Sequence, residues 1–332
     1  MDRNFIIFTA ATDPQAFAAA LVDPGFSDLE TQPQWGDYGR RYYAAVHGSA
    51  AVDASFTVHW QGRPVIIVLA ACVNGVLGFY DLPMLLFLRD DFHPEVARSA
   101  VKAAFGAIDT AAAAAGARKV WVREPGGAML SVIGEACLAR QARADIAMIS
   151  MVDLAAGPQA WKKALRKSFQ QFLNWGRRML TITEISGASL APSTFDTYRE
   201  FHARIAGRVT RPRSSWDVMY DQLARGKGEL LLAEMEGRLV AGALFIDGEG
   251  TTIYMNGVYD RDLDLPLAHP LIWHGIERAA GRCQRRFQLG DFHQYGHGDP
   301  KRFQIGYFKR GFATHIEIHH DWRWQPGELR RG

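Results

Sequence analysis

Asp291, Phe292, His293, Gln294 and Tyr295 follow Gly290 at the end of a strand-like run, an unusual density of titratable and hydrogen-bonding side chains. A carboxylate or imidazole accepts a proton from a nucleophile when its pKa is matched to the working pH. Strand ends beside loops are where α/β sheets place their sites. Asp291 or His293 is therefore the candidate general base; the plainer reading makes Asp291 a turn cap and His293 an exposed loop residue. Thr252, Tyr254 and Asn256 alternate with Ile253 and Met255, which puts Tyr254 and Asn256 on one face of a strand. Tyr254 is the candidate proton donor to a leaving group, Asn256 a substrate contact; the bland alternative is a tyrosine half-buried in a sheet.

Side chains able to hold an anion fall in three places. Lys163, Lys167, Gln170, Asn174 and Arg177/Arg178 line one flank of a helix expected over 158–179, opposite Leu165, Phe169, Phe172, Leu173 and Gly176. Lys167, Asn174, Trp175 and Arg178 are the binding candidates there. A basic loop over 208–213 carries Arg208, Arg211 and Arg213, with Arg204 just before it, and arginine offers a planar fork to a phosphate or carboxylate. Lys301, Arg302, Lys309 and Tyr295 complete the set. Lys301 and Arg302 come after Gly298-Asp299-Pro300 at a helix start, where a structural cation gains nothing from the dipole, and that favours ligand duty. Solvated surface charge is the competing reading for every one of these runs. His293, His297, His315, His319 and His320 crowd the C-terminus, but His315, Glu317 and His319 alternate with Ile316 and Ile318 as on any solvent-facing strand, so no metal is expected.

The elements that must position these groups read as alternating strands and helices. In the first half a strand over 5–9 precedes a helix capped by Asp13-Pro14. Next come strands over 50–60 and 63–74, an alanine-rich helix over 95–116, a strand over 119–123 and a helix over 126–139. A join is expected near 151–158, dividing the chain into domains 1–152 and 153–332. In the second half come the helix carrying the cationic flank, a strand over 180–185, two helices around the basic loop, and a strand meander over 229–259 turning at Glu236-Gly237 and 248–250. A helix from about Pro266, a strand ending at Gly290-Asp291, a helix and a final strand close the chain. Such alternation is a mixed α/β architecture, and no internal repeat of 20 to 50 residues interrupts it.

Composition agrees. The 332 residues are 48% hydrophobic and 22% charged, the balance of an ordinary folded globule. The longest apolar runs are strand-length, short of the roughly 20 residues a membrane helix needs. The N-terminus lacks a signal-peptide pattern, so a soluble cytoplasmic protein is expected. Three cysteines, Cys72, Cys137 and Cys283, form neither a disulfide framework nor a zinc spacing. Residues 1–150 hold 12 Lys and Arg against 15 Asp and Glu, net −3, while residues 151–332 hold 26 against 20, net +6. The basic half favours anionic partners such as a phosphate-bearing cofactor or RNA, with an excess too modest to argue nucleic-acid binding by itself.

Three segments taken in order carry a family resemblance: Leu165-Arg166-Lys167-Ser168-Phe169 with Asn174-Trp175-Gly176-Arg177-Arg178; the meander and helix of residues 242–279; and Gly290-Asp291 followed by Phe308-Lys309-Arg310-Gly311-Phe312. The chain resembles the Fem-type aminoacyltransferases and their relatives in the GNAT superfamily, best over 160–320. The resemblance implies two fused GNAT-like units, the C-terminal one more typical. It also implies transfer of an acyl or aminoacyl group to an amine by direct attack in a ternary complex. The co-substrate would be acyl-CoA, aminoacyl-tRNA or an acyl carrier protein thioester, with no tightly bound cofactor. The acceptor would be a small-molecule, glycan or peptide amine. One departure stands out. Where such enzymes hold pyrophosphate on a glycine-containing loop, this chain has Asp260-Arg261-Asp262-Leu263-Asp264-Leu265-Pro266, without glycine and with three acids that repel an anion. The alternative function is a non-catalytic module that recognises a polyanion or protein partner through its basic face.

Overall fold

The computed structural model describes residues 5–26, 33–47, 51–80, 82–248, 250–293 and 299–327. Contacts divide the chain into two compact units, Met1–Ala147 with Ile318–Gly332, and Met148–Glu317. The end of the last strand thus goes with the first unit, where the sequence reading kept it with the second.

The first unit runs β1 (Phe5–Thr9), α1 (Pro14–Leu21), α2 (Pro33–His47), β2 (Val52–Asp53), β3 (Phe56–Trp60), β4 (Arg63–Leu69), β5 (Ala71–Val73), β6 (Val76–Gly78), β7 (Met84–Leu88), α3 (Pro94–Ala114), β8 (Lys119–Pro125) and α4 (Val132–Leu138). Its strands lie in the order β1-β3-β4-β7-β8, with Val68, Ile66 and Val58 buried under α3. Ala100, Ala104 and Ala112 on α3 are fully buried, small enough to bring the helix close to the sheet. The strands expected over 50–60 and 63–74 each break in two. The Ser55 hydroxyl accepts from the Ala70 amide and donates to the Ala70 carbonyl, both at 3.1 Å, which takes that pair out of the regular ladder.

The second unit contains the end of β9 (Arg143–Asp153), then α5 (Pro158–Ala164), α6 (Phe169–Met179), β10 (Thr181–Ile185), α7 (Pro192–Ala206), α8 (Arg213–Ala224), β11 (Gly228–Met235), β12 (Arg238–Asp247), β13 (Thr251–Tyr259), α9 (Ala268–Gly281), β14 (Arg286–Asp291), α10 (Pro300–Arg310) and the start of β15 (His315–Trp324). Its strand order is β9-β14-β13-β12-β11-β10. The meander β10 to β13 is antiparallel, β13 and β14 are parallel, and β14 is antiparallel to β9. Glu236 and Gly237 both take positive φ, 54° and 75°, the two-residue hairpin turn read from the sequence. Leu231, Ala243, Phe245, Phe287 and Leu289 face a core closed by Phe169 and Leu173 of α6, Leu271 and Ile276 of α9, and Phe312 after α10.

The helix expected over 158–179 is two helices. Leu165 turns extended and buries its side chain, while the Arg166 amide donates to the Gly311 carbonyl at 2.8 Å and its guanidinium to the Tyr307 carbonyl at 2.7 Å. Tertiary bonds to α10 outbid continuation of the helix. Lys163 and Lys167 therefore do not share a helical face with Asn174 and Arg178.

Two carboxylates lie buried at one end of this sheet. Arg282 bonds Asp247 at 2.6 Å and Glu229 at 2.8 Å, and Arg278 bonds Glu229 at 2.8 Å, with both carboxylates 5% exposed or less. Removing one partner of such a network strands a buried charge. Arg282→Ala is expected to cost about 3–5 kcal/mol, read as a lowered urea midpoint at unchanged m-value.

Candidate functional site

Three residue pairs join β13 to β14: Thr251↔Arg286, Thr252↔Phe287 and Ile253↔Gln288. Beyond them β13 stays on β12 as far as Ala241↔Tyr259, and β14 stays on β9 through Asp291↔Ile149. The facing edges of residues 254–259 and 289–291 are thus unpaired with one another, and this break in the pairing is a slot between two parallel strands.

The lining of the slot is set by a β-bulge. The register of β12 on β13 shifts between Leu244 and Phe245, so Phe245 stands opposite Tyr254 and Leu244 opposite Asn256, leaving Met255 extra. One inserted residue flips the rest of the strand to the other face. Tyr254 and Asn256, placed on one face by simple alternation, therefore point to opposite faces. Tyr254 lies with Phe245 and Tyr259 on the side of α6, α9 and α10. Asn256 accepts a hydrogen bond from the Tyr198 hydroxyl of α7, and its amide reaches the Met219 sulfur of α8 at 3.6 Å. The same shift brings Tyr254 and Tyr259, five residues apart, to one face. Their hydroxyls are 2.7 Å apart, over Gly257, where any Cβ would collide with both. Burial pushes the Tyr254 phenol up to about 12, its bond to Tyr259 acting the other way, and burial raises Tyr259 well above its ordinary value. Both are neutral O–H donors at pH 7.

A cation joins them. The Lys309 Nζ stands 5.6 Å from the Tyr254 ring centroid, and 2.9 Å from where a side chain on Gly290 would begin. Gly290, at φ 102°, gives the ammonium its space. Burial pulls the Lys309 pKa below its usual value, and the Asp291 carboxylate works in the opposite direction. Ser150, paired with Gly290 across β9 and β14, is fully buried, and its hydroxyl has no partner among the described residues. Slot, paired phenols, half-buried ammonium, unsatisfied hydroxyl and an exposed carboxylate at the strand end form one constellation.

The other sequence candidates divide. His293 is half-buried two residues past Asp291, where α10 comes so close that a side chain at position 306 would meet the His293 amide nitrogen at 3.1 Å. Tyr295 lies outside the described residues. Lys301 and Arg302 are exposed in the first turn of α10, where Asp299 caps the Lys301 amide at 2.9 Å. Eight helical residues, about 12 Å of rise, separate Lys301 from Lys309, so the slot does not gather them. Lys167, Asn174 and Arg178 are exposed, Asn174 accepting from Gln170 at 3.2 Å, while Trp175 packs half-buried against the core. Arg211 lines a cavity between α7 and α8, and Arg208 is exposed on the loop beside it. In the acidic loop after β13, Asp260 is buried and bonded by Arg238 at 2.6 Å, whereas Asp262 and Asp264 are exposed. The loop thus keeps two outward acids. Among the described residues no three His, Cys, Asp or Glu side chains form a metal-binding group, and no helix is long and apolar enough to cross a membrane.

Tyr259 and Ser150 escaped the sequence reading. The only signal for Tyr259 was its spacing from Tyr254 around Gly257, which period-two alternation assigns to opposite faces.

Residues 162–302 match the model of the Acetyltransferase (GNAT) domain, and no protein of curated function matches the chain. Among solved structures the chain resembles FemX at TM-score 0.65 and 12% identity, over 97% of each chain. It resembles a tandem GNAT protein from the clavulanic acid biosynthesis pathway at TM-score 0.55 and 14% identity, over 98% of this chain and 99% of that one. L-PGS from Bacillus licheniformis aligns at TM-score 0.54 and 14% identity, over 81% and 82%. At such identities the likeness speaks for the fold. The chain is a mixed α/β protein that shares the fold of FemX and of a tandem GNAT protein, two fused GNAT-like units, and its residues 162–302 match the Acetyltransferase (GNAT) domain model.

Proposed function

We propose that the protein is an N-acyltransferase that moves an acyl or aminoacyl group from an activated thioester or ester to an amine, with the β13/β14 slot as its active site. The observation that carries this reading is the convergence of Lys309, the Tyr254–Tyr259 pair and Asp291 on a strand edge left open by the divergence of β13 from β14. The amine nitrogen attacks the donor carbonyl and passes its proton to Asp291, with His293 as the neighbouring candidate. The Lys309 ammonium stabilises the oxyanion as it develops. As the carbon–sulfur or carbon–oxygen bond breaks, Tyr254 protonates the leaving group, its hydroxyl held by Tyr259. The acids of residues 260–264 disfavour a plain pyrophosphate grip, so carrier-protein thioester and aminoacyl-tRNA stand beside acyl-CoA as donors.

The test presents acyl-CoA, acyl carrier protein and aminoacyl-tRNA donors with amine acceptors, among them cell-wall peptides and small metabolites, and follows amide formation by mass spectrometry. One donor class is expected to give product at a saturable rate. No amide from any donor, with the folded protein still binding a polyanion, would favour the binding module instead. If Lys167 and Arg178 grip a macromolecular donor, Lys167→Ala with Arg178→Ala weakens its binding several-fold at low salt. The difference should vanish near 1 M salt, where the screening length falls to about 3 Å; equal binding at low salt returns both residues to the solvated surface.

Tyr254→Phe deletes the proposed proton donor with little change of volume. It is expected to lower kcat about 10²-fold, less for donors with good thiolate leaving groups than for esters. A loss independent of the leaving group would assign Tyr254 to packing.

A further inference from the structure

On the Asn256 side of the sheet, α7, α8 and residues 207–212 line an open cavity of about 200 Å³. The indole of Trp216, 3% exposed, lines it together with Ala203 and Val209. His202, 8% exposed, stands edge-on to that indole at 5.3 Å and 72°, its Nδ1 3.4 Å from the Thr210 hydroxyl. Arg211 lies over the Trp216 ring at 5.5 Å. Arg199 is engaged by Asp196 at 3.0 Å, while Arg213, on the first turn of α8, has no carboxylate partner among the described residues. Glu200 is the one acid in the lining. Burial, and then the charge of Arg211, push the His202 pKa down to about 4, so the imidazole is neutral at pH 7 and the lining is net positive.

An apolar chamber with cationic forks is complementary to a ligand with an apolar body and an anionic head. Size suits the body, since an apolar cavity of roughly 150 Å³ takes up benzene, and an open cavity of about 200 Å³ seats one aromatic ring. Glu200 narrows the head, because a lone acid in the lining repels a phosphate dianion more than a carboxylate monoanion. We infer that this cavity is a binding site for a small aryl carboxylate, its ring against Trp216 and its carboxylate held by Arg211 and Arg213. The site lies on the other face of the sheet from Lys309 and does not rest on the acyl-transfer reading.

Phenylacetate is the probe, titrated into the full-length protein by calorimetry and by NMR of the Trp216 indole N–H and the His202 ring. Saturable binding that shifts both resonances is expected. Acetate lacks the ring and benzyl alcohol lacks the charge; each is expected to bind at least 10-fold more weakly. Arg211→Gln with Arg213→Gln is expected to weaken phenylacetate at least 10-fold, and Ala203→Phe, which fills the chamber, to abolish binding. Should a variant misfold, the three-probe comparison on the unaltered protein decides. The inference is overturned by absence of saturable phenylacetate binding, by acetate or benzyl alcohol binding as well as phenylacetate, by inorganic phosphate displacing it at equal concentration, or by folded variants that bind unchanged.

Discussion

Lys309→Met is expected to lower amide formation by about 10²–10³-fold, the usual cost of removing one donor to a developing oxyanion, with little change in donor affinity. Methionine keeps most of the side chain's length and loses the ammonium, so the fold should hold. The position makes the effect specific, because the Nζ sits over Tyr254 and beside Gly290, at the point where β14 leaves β13. A group that acts on the transition state alone lowers kcat and kcat/KM together. If KM alone rises, or turnover stays within a few-fold of the parent protein, Lys309 is a binding cation and the oxyanion assignment falls.

Asp291→Asn should be at least as damaging, about 10²–10⁴-fold if the carboxylate accepts the amine's proton, and it carries a second signature in the pH profile. Lys309 works as a cation, so activity is lost as pH rises through its pKa. Burial holds that pKa below the ordinary 10.5 and the Asp291 charge raises it. With asparagine in place burial acts alone, the pKa falls further, and the alkaline limb of residual activity moves to lower pH. A limb that stays put or moves upward would show that Asp291 and Lys309 do not share the site. Parent-like rates in both Asp291→Asn and His293→Ala would remove the general base from this end of β14 altogether.

Much of the scaffold was legible because its cues are local. The Glu236-Gly237 hairpin, the proline-led starts of α1 and α10 and the alanine stripe of α3 each depend on residues within a turn or two of one another. The strand–helix–strand order of the second unit came through for the same reason, and Asp291, Tyr254 and Lys309 of the proposed site lie on its elements β14, β13 and α10. The break at Leu165 was not legible, since the residues over 158–179 favour a helix and only bonds to Gly311 and Tyr307, some 140 residues away in sequence, end it. Nor was the chamber beneath Trp216, whose walls come from two helices and the loop between them.

By itself the sequence determined which chemistry was available: an acid, phenols and cations delivered to strand ends and helix ends by short-range propensity and hydrophobic period. Only the tertiary structure decided which of them meet. A single bulged residue, Met255, turned Asn256 away and brought Tyr259 to Tyr254, and packing across 55 residues set Lys309 above them. A side chain's face in a sheet depends on its register with a neighbouring strand, and that register is fixed by hydrogen bonds and core packing between segments distant in sequence.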